Sequence, residues 1–225
     1  MPKGGKPIPF QIEARPRPWP QNRRGQPGDC ALIVVDMQHD YCTPGFYIDK
    51  AGYDTAPLRK PIPRVARVLD GARRSGLHVL YTQHSRPPGS TGTAPGDDAR
   101  GPTFPETARR GEPGWEIVPE LAPQRKDVVI QKTTINAFFS GELHRLLDAA
   151  GVQHLAFCGN TIDVCVHSTL RAAVDLGYDC LLLADCCGAV HAGLHRWAVE
   201  SVQVENGVFG TVASAASFLH GLHPR

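Results

Sequence analysis

No apolar run in the chain approaches 18 residues, so no segment reads as a membrane-spanning helix. An excess of charge is also missing. The 24 Lys and Arg nearly balance the 22 Asp and Glu, for a formal net charge of +2, and no long basic stretch occurs. That balance asks for neither a nucleic-acid nor an anionic-membrane partner. Cysteine is present seven times but not in a pairing pattern: the number is odd, and Cys186 and Cys187 are adjacent instead of spaced C-x-x-C. A disulfide framework and a zinc module are both disfavoured, and most of these thiols read as small buried hydrophobes. The opening MPKGGKPIPF carries charge with no apolar core behind it, unlike a secretory signal, so a cytoplasmic location is expected. Repeats and low-complexity tracts do not interrupt the chain.

What is present suits one domain with a full core: 225 residues, 41% hydrophobic and 20% charged. Residues 1–29 are rich in Pro, Arg, Gln and Gly, and read as an extended N-terminal arm whose Phe10 and Trp19 can dock on the core. From residue 30 to 225 apolar runs alternate with helical periods. Strands are expected at 31–36, 77–82, 128–131, 154–159, 180–185 and 208–213. Helices are expected at 61–75, 140–150, 165–176, 191–204 and 214–222, with a long Gly- and Pro-rich loop at 84–114. Continuous apolar strands separated by helices predict an α/β fold: a three-layer α/β/α sandwich around a mostly parallel six-stranded sheet.

Ligands of such sheets bind beyond the carboxyl ends of the strands. Three residues fall there: Asp36 after the first strand, Lys132 after the third, and Cys165 a short turn after the fourth. Each alone has a bland reading, as a cap, a solvated charge and a packed thiol. Together they fit nucleophilic catalysis. A thiol must lose its proton to attack, and a nearby helix N-terminus would favour the thiolate. Asp36 would take the proton, and Lys132 would hold Asp36 and offset its charge. Backbone N–H groups around residues 161–165 would hold an oxyanion.

The stretches ALIVVDMQHDY (31–41), IQKTTINAFFSGELHRLL (130–147) and GNTIDVCVHSTLRAAVDLGYDCLLLADCCGA (159–189) resemble the isochorismatase-like cysteine hydrolases over roughly residues 30–220. The resemblance implies an Asp36–Lys132–Cys165 triad, oxyanion donors at the N–H groups of Thr161 and Cys165, and a cis peptide between Asn160 and Thr161. Ile162 stands where many relatives carry Thr, so a hydroxyl that would steady the turn is absent. The Asp-x-His element through which nicotinamidases bind metal is also absent downstream of the first strand, so neither metal nor other cofactor is expected, and nicotinamide is disfavoured. Family members are often homotetramers, and the arm and long loop are expected to pack on neighbouring subunits.

Within the family, RPRPWPQN (15–22), RGEPGWEIVPEL (110–121) and ENGVFGTV (205–212) resemble biuret hydrolases. This implies a small nitrogen-rich linear amide as substrate, with substrate contacts at Glu205, Tyr41 and Asn160. Glu205 replaces a glutamine of that subgroup. An ionised carboxylate only accepts hydrogen bonds, which would suit the cationic guanidinium of guanylurea. Alternatively Glu205 faces solvent at a helix end, and Tyr41 packs in the core instead of covering a planar substrate. Other functions on the same fold are a ureidoacrylate-type amidohydrolase, which would need a cationic pocket for a carboxylate, and a non-catalytic binding protein. Isochorismatase proper uses no cysteine nucleophile, and a redox-sensing thiol would want a resolving cysteine nearer than Cys158.

Overall fold

The computed structural model describes residues 10–21, 25–86 and 107–222. Six strands form one sheet: β1 (Cys30–Val35), β2 (His78–His84), β3 (Val128–Lys132), β4 (His154–Asn160), β5 (Asp179–Gly188) and β6 (Thr211–Ala213). Their order is β3-β2-β1-β4-β5-β6, and all five pairings are parallel. All six residues of β1 and all seven of β4 are buried, which is why both read as unbroken apolar runs. The helices are α1 (His39–Cys42), α2 (Tyr47–Lys50), α3 (Ala56–Arg59), α4 (Ile62–Ser75), α5 (Glu142–Ala149), α6 (His167–Asp175), α7 (Ala192–Gly207) and α8 (Ala215–Leu222). In α4 the residues Ile62, Val65, Val68, Leu69 and Ala72 line one buried face, and Gly76 in left-handed conformation ends it. No helix among the described residues is long and apolar enough to cross a membrane.

The order reverses at β1. The chain winds outward through β2 and β3, then returns beside β1 as β4. Connections leaving β1 and β4 therefore diverge, and a crevice opens at their carboxyl ends. Gly159 makes the close approach there possible, because a Cβ would collide with the backbone of Val35. The β4–β5 register shifts between Phe157 and Gly159, next to the same turn.

Short helices α1 to α3 fill the connection after β1, where no periodic signal is long enough to show. The arm, as far as it is described, docks on its own chain through Phe10 and Trp19, as expected. Phe10 pairs with Gly25, Ile12 with Trp19, and Arg15 with Val212 of β6. Ile12 and Trp19 are wholly buried, and the Trp19 indole N–H donates to the Asp179 carbonyl at 3.0 Å. A Pro-rich segment with few hydrophobes does not build a core, but it can complete one. Trp19→Ala should therefore cost about 3–5 kcal/mol in urea unfolding, as for other fully buried tryptophans. A change under about 1 kcal/mol would show that the arm docks only superficially. Of the long loop, residues 87–106 lie outside the described residues, while both its ends are placed at the sheet's carboxyl edge.

Candidate active site

Three strand ends bring the expected residues together. Asp36 follows β1 with a φ of 47°, a left-handed conformation uncommon for a side chain larger than glycine. Its Oδ1 accepts from the Thr82 hydroxyl of β2 at 2.8 Å, and its Oδ2 lies 2.7 Å from the Lys132 Nζ. Lys132 ends β3 and must reach past the end of β2 to make that pair. Its ammonium also donates to the Thr134 carbonyl at 2.9 Å and to the Cys165 Sγ at 3.5 Å. The Asp36 carboxylate is close enough to the Cys165 thiol for its charge to act on the sulfur. Acid, amine and thiol thus form a triangle with little water access: the Lys132 and Asp36 side chains are 2% and 0% exposed.

This environment sets the resting protonation states. Burial pushes the Cys165 thiol up to about 12, Asp36 adds to the rise, and Lys132 opposes it without overcoming it. Burial works against the Lys132 ammonium, but Asp36 and Cys165 outweigh burial, so its pKa is raised and it stays charged. This environment favours the protonated thiol as the resting form, which suits the expected role of Asp36 as the group that takes its proton. Cys165 is the fourth residue of a π-helical turn, Ile162–Val166, that precedes α6. Alkylation of Cys165 by iodoacetamide, followed by peptide mass spectrometry, should be slow at pH 7 and keep accelerating above pH 9. A rate already at its plateau at pH 7 would mean that the thiolate is the resting form.

The Asn160–Thr161 peptide is cis. The Thr161 carbonyl accepts from the N–H groups of Val164 and Val166 at 3.2 and 3.1 Å, which closes the turn. Ile162 is fully buried, so apolar packing stands where relatives have a hydroxyl. All seven cysteines are free.

The isochorismatase domain model matches residues 30–217. The chain belongs to the isochorismatase-like hydrolase family. It is 33% identical to the ureidoacrylate amidohydrolase RutB of Variovorax paradoxus, over 98% of this chain and 90% of that protein. It is 34% identical to the ureidoacrylate amidohydrolase RutB of Caulobacter vibrioides, over 92% and 95%. Among solved structures, a cysteine hydrolase from Pseudomonas syringae pv. phaseolicola superposes with a TM-score of 0.80 at 25% identity, covering 99% of this chain and 98% of that one.

The three expected substrate contacts fare differently. Tyr41, on α1, is half-buried and close enough to Asp36 and Cys165 for their charges to raise its pKa, although burial contributes most. Asn160 is buried, and its amide donates to the Leu58 carbonyl at 3.0 Å and to the Cys42 Sγ at 3.2 Å. Its side chain braces α3 against the turn. Glu205 is exposed, in a left-handed kink with Asn206 where α7 loses helical geometry. No hydrogen bond joins its carboxylate to the triangle, and it faces solvent as in the alternative reading. The resemblance to biuret hydrolases located Glu205 by sequence position, whereas the kink decides where the side chain goes. Among the described residues, no cluster of three or more His, Cys, Asp or Glu is placed to hold a metal.

Sequence reasoning also passed over several supports. Thr82 orients Asp36 from mid-sheet, and nothing in YTQH marks it out. Gln38 accepts from the His84 N–H at 2.8 Å and donates to the His84 and Trp115 carbonyls at 2.9 and 2.8 Å. Asp40 accepts from the Ala108 N–H at 2.6 Å and the Thr107 hydroxyl at 3.3 Å. Gln38 and Asp40 thereby tie the far end of the long loop to the catalytic edge. A signal was available in the polar residues of MQHDY, which interrupt an otherwise apolar segment directly after Asp36.

Proposed function

We propose that the protein is a cysteine-dependent amidohydrolase acting on a small linear ureido compound, an N-substituted urea with one free carbamoyl end, of the ureidoacrylate type. The observation that carries the reading is the Lys132 ammonium, paired with the Asp36 carboxylate and donating to the Cys165 sulfur, which gathers acid, amine and thiol at one point. A carboxylate so placed can take the thiol proton when substrate arrives.

In the first half-reaction Asp36 removes the proton from Cys165 while the sulfur attacks the carbonyl carbon. The N–H groups of Thr161 and Cys165 hold the oxyanion. The C–N bond then breaks, and Asp36 returns the proton to the departing nitrogen. A thioester remains on Cys165. In the second half-reaction Asp36 deprotonates a water, which adds to the thioester. The C–S bond breaks, and the sulfur recovers a proton. Lys132 stays cationic throughout and holds the Asp36 carboxylate in place between transfers. Water is the one co-reactant, and every step is a proton transfer or an addition–elimination.

The identities of 33% and 34% to ureidoacrylate amidohydrolases support the substrate type. The case for guanylurea rests on the Glu205 carboxylate, which is exposed in the left-handed kink and makes no hydrogen bond to the triangle, so ureidoacrylate is preferred. Biuret carries the same free carbamoyl end and is the second reading. Ammonia release from ureidoacrylate, biuret, guanylurea, triuret and nicotinamide discriminates. Ureidoacrylate is expected to show the highest kcat/KM, with biuret next. A preference for nicotinamide, or no turnover of any ureido compound, refutes the proposal. We further propose a homotetramer, and a light-scattering mass near the 24.4 kDa of one chain refutes that.

A further inference from the structure

Tyr41 and His84 form a pair beside the triangle that the steps above leave without a task. The Tyr41 hydroxyl lies 2.8 Å from the His84 Nδ1, and the two rings are nearly parallel at 14°, with centroids 6.3 Å apart. His84 ends β2 and is 4% exposed. Its backbone N–H and carbonyl are both held by Gln38, three residues before Tyr41, so α1 and β2 cannot separate without breaking that clamp.

We propose that His84 is a positioning residue whose Nδ1 accepts a hydrogen bond from the Tyr41 hydroxyl, so that the phenolic oxygen meets the substrate only as a hydrogen-bond acceptor for ureido N–H groups. This rests on the ureido reading of the site and deepens it.

Three observations give the direction of the bond. Burial, then the Lys132 charge, lower the His84 imidazole to about 4, so near neutrality the ring carries one proton. The Thr133 backbone also bears on the ring and raises its pKa, as a carbonyl facing the ring N–H does. The remaining nitrogen, facing Tyr41, is then the acceptor. Burial and the charges of Asp36 and Cys165 hold Tyr41 as the phenol, so its O–H can donate, and Nδ1 accepts that hydrogen bond. The Thr107 hydroxyl, at 3.4 Å, is too distant to occupy the oxygen firmly. An oxygen with lone pairs alone favours the amino end of a ureido group and repels a carboxylate. The substrate is thereby oriented, with the nitrogen-rich end beside Tyr41 and any carboxylate pointing away.

His84→Phe keeps a flat ring and removes the acceptor, which frees the Tyr41 proton to turn toward the pocket. KM for the best ureido substrate should rise about tenfold, the loss of roughly one hydrogen bond, with kcat within about twofold. Tyr41→Phe should do the same, and the double variant should be no worse than either single one, because both remove one interaction. His84→Asn, which can return an acceptor to the Nδ1 position, should recover part of the loss. Multiplying effects in the double variant, or a fall in kcat at unchanged KM, overturns the proposal. Nitrogen-15 NMR of the wild-type protein at pH 7 is independent of substrate. An unprotonated His84 Nδ1, with a shift that moves in Tyr41→Phe, is expected, and a protonated Nδ1 overturns the assignment. Absence of ureido turnover would refute the proposed activity, and the NMR result would still decide the direction of this bond.

Discussion

Cys165→Ser is expected to lower kcat by at least about a thousandfold, in line with losses seen when other enzymes lose a nucleophile. The swap is nearly isosteric, at a site that is 9% exposed, so the melting temperature should hardly move. The physical reason is the proton. The thiol already sits high, at about 12, because burial and Asp36 disfavour its anion. A serine hydroxyl begins several units higher, and Asp36 is too weak a base to take its proton. Steady-state ammonia release and a thermal melt on the same preparation make the test. Activity retained within tenfold of wild type would remove Cys165 from the chemistry, and a lost fold would show the site to be structural.

Lys132→Met should be the most costly substitution for stability. The 2.7 Å pair with Asp36 is almost wholly enclosed, and removing the ammonium leaves a carboxylate buried without its counter-charge. Breaking one side of a buried pair typically costs about 3–5 kcal/mol. Turnover should fall as well, because Asp36 loses the partner that holds its carboxylate in place beside the sulfur. Adding Asp36→Asn removes the orphaned charge, so the double variant should be more stable than Lys132→Met alone while remaining inactive. Urea unfolding of the three variants provides the comparison. A loss below about 1 kcal/mol in Lys132→Met would mean that water reaches the pair and screens it.

Much of the architecture is legible in local pattern. ALIVV and HLAFC read as buried strands because both faces of a parallel sheet are covered, and no polar alternation survives. Residues 61–75 read as a helix because one face repeats at helical spacing and a glycine follows. The triad is legible because its members each stand at a strand end, where the fold class places ligands. Legibility fails where an outcome depends on distant groups. The Pro-rich arm looks unattached until Trp19 finds its place against Asp179, some 160 positions away. The short helices after β1 are below the length at which periodicity speaks.

Chain order and residue type alone determined the layered sheet, the strand ends that carry Asp36, Lys132 and Cys165, and the turn that presents the thiol. Tertiary structure alone decided that the thiol rests protonated, that Glu205 looks outward from a left-handed kink, and that Tyr41 leans on His84. Periodicity is a property of neighbours in sequence, and a few residues suffice to show it. Protonation and side-chain direction follow from how much water is excluded and which charges lie within a few ångströms, and those are sums over residues that meet only after folding.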